Sequence, residues 1–245
     1  MVLKETELKR YDRQIRLKGF GIEGQRRLKN SRVAVVGLGG LGCSISIYLT
    51  VAGVGYVRLL DQGKVELTDL NRQILYEEGD IGRNKAEVAT EKLKRLNPHV
   101  EVEGITIKVD EENVVDLIEG VDVVVDGLDN WNTRLLLNEA CVKLNIPYIH
   151  GGVWGMYGQV MTILPGEGPC LKCFLKEIPI EEEIIPVVGP IPAIIASIEV
   201  LETLKLLLNI GKPLVGRILL FDGLSMRFEE LPVYRDKDCP VCSRP

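Results

Sequence analysis

Arg32-Val-Ala-Val-Val36 runs without a break into Gly37-Leu-Gly-Gly-Leu-Gly42. The apolar, largely β-branched run is the pattern of a strand buried on both faces of a parallel sheet. The spacing Gly37-x-Gly39-x-x-Gly42 is that of a turn whose backbone can approach phosphate closely. Residues 43–52 then read as a helix stopped by Gly53, and Tyr56-Val-Arg-Leu-Leu60 as a second strand ending in Asp61. Together they form a β-α-β unit of about 30 residues. The helix N-terminus offers free N–H groups and a positive dipole end to an anion. An acid at the end of the second strand can hold a ribose hydroxyl pair. The glycines alone are a weak signal, since a tight turn without ligand uses the same residues; strand, helix and Asp61 together give them weight. A nicotinamide-dependent oxidoreductase carries the same fingerprint.

The pattern continues in both directions. Upstream, Glu5–Leu17 reads as a helix, Lys18–Gly24 breaks it, and residues 25–30 form a second short helix. Downstream, helical stretches at Arg83–Leu96, Glu111–Glu119 and Trp131–Leu144 alternate with strands at 100–109, Val121–Val125 and Pro147–His150. Strands alternating with helices predict a doubly wound, mainly parallel α/β sheet of Rossmann type. After Gly151 the texture changes. Tyr157–Leu164 reads as an antiparallel strand, 165–190 as a long loop, and Ile191–Leu208 as a strongly apolar helix ended by Gly211 and Pro213. Residues 216–221 and 226–233 make a hairpin at Asp222-Gly223. The expectation is one domain over 1–245: N-terminal helices (5–30), a nucleotide-binding α/β half (31–150) and an antiparallel carboxyl-terminal half (151–245) on the same core.

Composition excludes several classes. The chain has 245 residues, 46% apolar and 27% charged, an ordinary globular mixture and neither disordered nor fibrous. Its 30 basic and 35 acidic residues leave a net charge of -5, which disfavours nucleic-acid binding. No apolar run is long enough to span a membrane. The charged start, Met1-Val-Leu-Lys-Glu-Thr-Glu-Leu-Lys-Arg10, is unlike a secretory signal, so the expected compartment is the cytoplasm. There, six cysteines are ligands or thiols rather than disulfides.

Three further constellations carry chemistry. Asn71-Arg72-Gln73, with Lys85 at a later helix start, puts positive charge near the glycine loop and suits a triphosphate; a solvated basic face is the alternative. Asp126-Gly-Leu-Asp129-Asn130 lies at the carboxyl end of a buried strand, where α/β sheets bind ligands. A carboxylate there can hold magnesium, or Asp129 or Asp126 can cap the next helix. Cys170-Leu-Lys-Cys173 and Cys239-Pro-Val-Cys242 are two knuckles of the kind that hold Zn²⁺ with four thiolates. Residues 174–238 separate them, so the fold must bring them together. Unrelated thiols or a redox dithiol are the other readings. With four protein ligands such a zinc is structural.

In these pieces the chain resembles the ubiquitin-activating-enzyme-like adenylyltransferases, in the branch that activates sulfur carriers for molybdopterin and thiamine biosynthesis. The resemblance rests on Arg10-Tyr-Asp-Arg-Gln14, Gly37–Gly42, Asp61–Val65, Asp69-Leu-Asn-Arg-Gln73, Lys85-Ala86, Asp126–Asn130 with Arg134, and both cysteine pairs, in order over residues 8–242. It implies adenylation, with ATP, of the C-terminal glycine of a ubiquitin-fold carrier ending in Gly-Gly. By position, Gly37, Gly39 and Gly40 sit against the nucleotide and Asp61 holds the ribose. Arg72 and Lys85 neutralise phosphate, with Asn71 nearby, and Asp129 binds Mg²⁺. Arg13 matches an arginine given by the second subunit, which implies a homodimer. The carboxyl-terminal half is then the carrier-binding and zinc half.

One departure bears on mechanism. Many relatives carry a cysteine after the first pair that bonds the carrier covalently, but residues 174–238 contain none. The spare thiols, Cys43 and Cys141, read as core packing, although a helix N-terminus can activate a thiol at the position of Cys43. The expectation is adenylation without an enzyme thioester. His150 reads as a hydrogen-bonded structural residue, and Glu181-Glu-Glu183 as a solvated run. A non-catalytic scaffold and a tRNA-adenosine dehydratase of the same superfamily are the remaining alternatives.

Overall fold

The computed structural model describes residues 2–175, 177–178 and 185–243; Glu181-Glu-Glu183 lies outside the described residues. The run Arg32–Val36 is β1, and Val33 to Val36 are fully buried. It lies inside one eight-stranded sheet of order β3-β2-β1-β4-β5-β6-β7-β8. The strands are β2 (Tyr56–Asp61), β3 (Glu101–Thr106), β4 (Val123–Asp126), β5 (Tyr148–Trp154), β6 (Tyr157–Ile163), β7 (Arg217–Asp222) and β8 (Arg227–Pro232). Strands β1 to β5 pair in parallel and β5 to β8 antiparallel. The direction of winding reverses between β1 and β4, which opens a crevice at their carboxyl ends.

Helices α1 (Glu5–Arg10), α2 (Asp12–Ile15) and α3 (Gly21–Asn30) precede the sheet. The single helix expected over Glu5–Leu17 is broken at Tyr11, whose ring is buried and whose hydroxyl accepts from Asn97 Nδ2 at 2.9 Å. That long-range tie overrides local helix propensity. One face of the sheet is covered by α4 (Gly40–Ala52), α5 (Lys85–Leu96) and, later in the chain, α9 (Pro190–Leu208). The other is covered by α6 (Val114–Ile118), α7 (Trp131–Leu144) and the short α8 (Leu171–Phe174), with the four paired cysteines. Helix α8 lies in the stretch read from sequence as loop; four residues are too few for periodicity to register. Strand β5 runs four residues past His150, because Gly151 and Gly152 pair with Val160 and Gln159 of β6. Among the described residues no helix is long and apolar enough to cross a membrane.

Candidate active site

The glycine loop is shaped by close packing. Gly37 has φ +88°, a conformation open to glycine at little cost. A Cβ on Gly42 would collide with the carbonyl oxygen of Gly37, so α4 meets the end of β1 only because residue 42 lacks a side chain; a Cβ on Gly37 would strike Gly127 O. Helix α4 starts at Gly40, three residues earlier than residue 43, so its N-terminus belongs to the loop. Asp61, at the end of β2, braces that loop: its Oδ2 accepts from Leu38 N at 2.7 Å and its Oδ1 from Gly63 N at 2.6 Å. Each oxygen keeps a second lone pair for another donor.

The basic residues come to the same place. The α-carbon of Gly40 faces the Arg72 stem and Pro192, and that of Gly63 faces the Lys85 stem. Lys85 Nζ lies 3.1 Å from Asp69 Oδ2, and Arg72 Nη2 lies 3.6 Å from Asp69 Oδ1. Arg72 Nη1 also donates to Thr68 O at 2.7 Å and to Asn71 Oδ1 at 3.0 Å. Gln73 Nε2 donates to Asp69 Oδ1 at 2.6 Å. Asp69 thus orders three neighbours of the loop, a role that sequence reasoning missed. Its spacing, three residues before Arg72 and four before Gln73, is the available signal. The N-terminus of α9 closes this corner, since Gly189 faces the backbone of Asn71 and Arg72.

Asp129 lies on the same edge of the sheet. Gly127 N donates to Val36 O at 2.7 Å, and a Cβ on Gly127 would strike Gly37 O. Two residues on, the Asp129 side chain is exposed, and its Oδ1 accepts from Asn130 Nδ2 at 3.3 Å. Neither Asp126 nor Asp129 caps α7; Asn130 does, accepting from Thr133 N at 2.9 Å. Asp126 is instead fully buried. Its Oδ2 is reached by Arg134 Nε at 3.0 Å, Tyr148 OH at 2.9 Å and His150 Nδ1 at 2.8 Å. Burial pushes the Asp126 carboxyl up, but the Arg134 guanidinium and His150 outweigh it and hold it below the usual range. Burial also pushes His150 down, so its neutral ring donates from Nδ1 to Asp126 and accepts at Nε2 from Gln159 Nε2, 3.0 Å away. His150 is structural, as its sequence reading holds.

Glu199 of α9 is a second buried acid, with no sequence signal beyond its position in an apolar helix. Its carboxyl lies against the α-carbon of Gly151, and neither oxygen finds a hydrogen-bond partner among the described residues. Burial raises it well above the carboxylate range, helped by the Asp126 charge, which favours the protonated form.

Arg13 is the predicted site residue on a different element: it is exposed on α2, which packs against α3. Cys43 is fully buried, its thiol pushed up to about 12 by burial, and Cys141 is likewise buried and raised. Neither is a ready nucleophile.

The two cysteine pairs meet. Their four sulfurs lie within 4.8 Å of one another, with Cys170–Cys239 at 3.6 Å, Cys173–Cys242 at 3.4 Å and Cys170–Cys173 at 4.0 Å. A zinc–thiolate tetrahedron with arms of ~2.3 Å has edges of about 3.8 Å, so the donor set fits Zn²⁺ in identity and spacing. The backbone N–H of Asp236 points at Cys173 Sγ, 3.4 Å away, as a thiolate requires.

The chain is similar to the SAMP-activating enzyme E1 of Haloferax volcanii, 42% identical over 98% of this chain and 90% of that one. It is 43% identical to the sulfur carrier protein adenylyltransferase of Thermus thermophilus, over 97% and 92% respectively. Its fold is similar to that of E. coli MccB crystallised with ATP, at 25% identity and a TM-score of 0.86, over 96% of this chain and 75% of that one. The model of the ThiF family matches residues 11–241, and the chain belongs to that family.

Proposed function

We propose that this protein joins the C-terminal glycine carboxylate of a ubiquitin-fold sulfur-carrier protein, ending in Gly-Gly, to AMP from ATP, releasing pyrophosphate. The observation that carries the reading is the convergence of Lys85 and Arg72 on Asp69 beside the glycine loop. A triphosphate needs such a pair of cations; a dinucleotide pyrophosphate at a helix N-terminus does not. The names of the Haloferax and Thermus relatives support it.

The chemistry needs positioning more than covalent help. A carboxylate must approach the innermost phosphorus of a polyanion, and two fixed cations reduce the repulsion and stabilise the departing pyrophosphate. In this reading Gly37, Gly39 and Gly40 give the nucleotide close backbone contact and Asp61 holds the ribose. Asn71, Arg72 and Lys85 hold the phosphates. Magnesium, when bound, would neutralise further phosphate charge, and exposed Asp129 is the hard oxygen ligand that would hold it. Arg13, exposed on α2, would serve the site of a second copy in a homodimer. The buried state of Cys43 and Cys141 supports adenylation without an enzyme thioester. Zinc at Cys170, Cys173, Cys239 and Cys242 would be structural.

The test is direct. Incubated with Mg-ATP, a Gly-Gly-ending carrier should gain the mass of AMP less water, and hydroxylamine should release it. A carrier of unchanged mass, with the enzyme stabilised against heat by NADH but not by Mg-ATP, would instead favour the oxidoreductase reading.

A further inference from the structure

Helix α7 connects two regions that the reaction treats separately. At its start stand Asp129 and the cap Asn130; one turn in, Arg134 binds Asp126 and also donates from Nη2 to Leu128 O at 2.6 Å. Four residues further, on the same face, is Asn138, which is fully buried. Its Oδ1 accepts the backbone N–H of Leu171 at 2.8 Å. Leu171 follows Cys170 and opens α8, so the bond clamps the first cysteine knuckle to α7. The other half of the carboxamide, Nδ2, is buried without a hydrogen-bond partner at standard distance among the described residues. A buried, orphaned amide N–H is costly, and such groups in native folds have a partner to find. The clamped peptide is the one that follows Cys170, so the carboxamide stands beside the first knuckle. A thiol is a poor acceptor, whereas a metal-held thiolate is a good one and is commonly steadied by a donor outside the ligand set.

We infer that Asn138 is a positioning residue for the metal centre, holding the knuckle through Leu171 N–H and donating Nδ2–H to the Cys170 thiolate, so that α7 ties the centre to the Asp129 loop. This rests on reading the four sulfurs as a zinc site. The knuckles are 65-odd residues apart in the chain, on the order of the loop lengths for which a cross-link matters most, and Asn138 fixes one of them to the core independently of the metal.

Zinc release from the full-length, zinc-loaded protein to a chromogenic chelator tests the inference. Asn138→Asp keeps the acceptor for Leu171 N–H and removes the amide donor; Asn138→Leu removes both. Each should release zinc at least about tenfold faster than the parent. Release at the parental rate from either folded variant overturns the role. A second measurement needs no variant: with ¹¹³Cd in the site, the Asn138 Nδ2 proton should show scalar coupling to the metal through the N–H···S bond. A cadmium-loaded protein without that coupling contradicts the inference while leaving the metal site intact. A parent chain that takes up no zinc or cadmium overturns the metal reading itself.

Discussion

Lys85 Nζ and Asp69 Oδ2 are 3.1 Å apart beside the glycine loop, and the side chains are only 14% and 9% exposed. The carboxylate therefore holds the lysine at a fixed place beside the loop. Arg72 shares the same carboxylate, so the two cations are spaced by one anion. Lys85→Ala should lose about 10²-fold or more in carrier-dependent adenylation, the scale for one preorganised transition-state contact. It should also lose some stability, since Asp69 keeps its burial and loses a partner. Steady-state kinetics and urea titration of the same preparation check both.

Arg13 gives a test that needs two variants. Arg13→Ala should lose ~10³-fold, the lower end for an arginine donated in trans in related phosphoryl chemistry, with unchanged melting. Mixed with Lys85→Ala under subunit exchange, it should recover roughly a quarter of the parental rate, because half of the dimers then hold one intact site. An undiminished rate in Arg13→Ala alone would place Arg13 outside the reaction, and an inactive Arg13→Ala that the mixture fails to rescue would place it in its own subunit's site.

Asp126→Asn should destabilise the protein by about 3–5 kcal/mol, because it leaves the Arg134 guanidinium buried beside a neutral group. Tyr148 and His150 lose a charged acceptor as well. Chemical denaturation measures the loss. A change under 1 kcal/mol would show that the buried hub is not an ionised one.

Glu199 sets a pH dependence with a defined sign. Its folded pKa lies well above the ordinary 4.5, so above that pH the folded chain keeps a proton that the unfolded chain has shed. Stability from this group therefore falls as pH rises from 4.5 toward the folded pKa, by up to about 1.4 kcal/mol per pH unit. Glu199→Gln removes the proton exchange. Its stability relative to the parent should climb as pH rises above 4.5 and level off once the folded carboxyl ionises, read by urea titration at each pH. Parallel pH profiles for the two proteins would mean that the acid is ionised in the fold.

Much of this was legible in the amino-acid order. Val33 to Val36, Gly37, Gly42 and Asp61 declare the glycine-loop corner because each obeys a local rule: a doubly buried strand, a positive φ, a close helix contact, an acid at a strand end. The two cysteine pairs declare themselves by spacing, although only the fold shows that they meet. What stayed hidden depends on contacts between distant segments. Tyr11 breaks its helix for Asn97, 86 residues away. Asp69, Glu199 and Asn138 owe their roles to what lies opposite them, and a one-dimensional pattern does not encode the facing residue.

The most direct test of the central claim is ATP–pyrophosphate exchange with purified enzyme, Mg²⁺ and a ubiquitin-fold carrier, run beside the same carrier lacking its terminal glycine. Exchange should require the intact tail and vanish in Lys85→Ala. Exchange that is indifferent to the tail, or no exchange with any Gly-Gly-ending carrier of the molybdopterin or thiamine type, would contradict it.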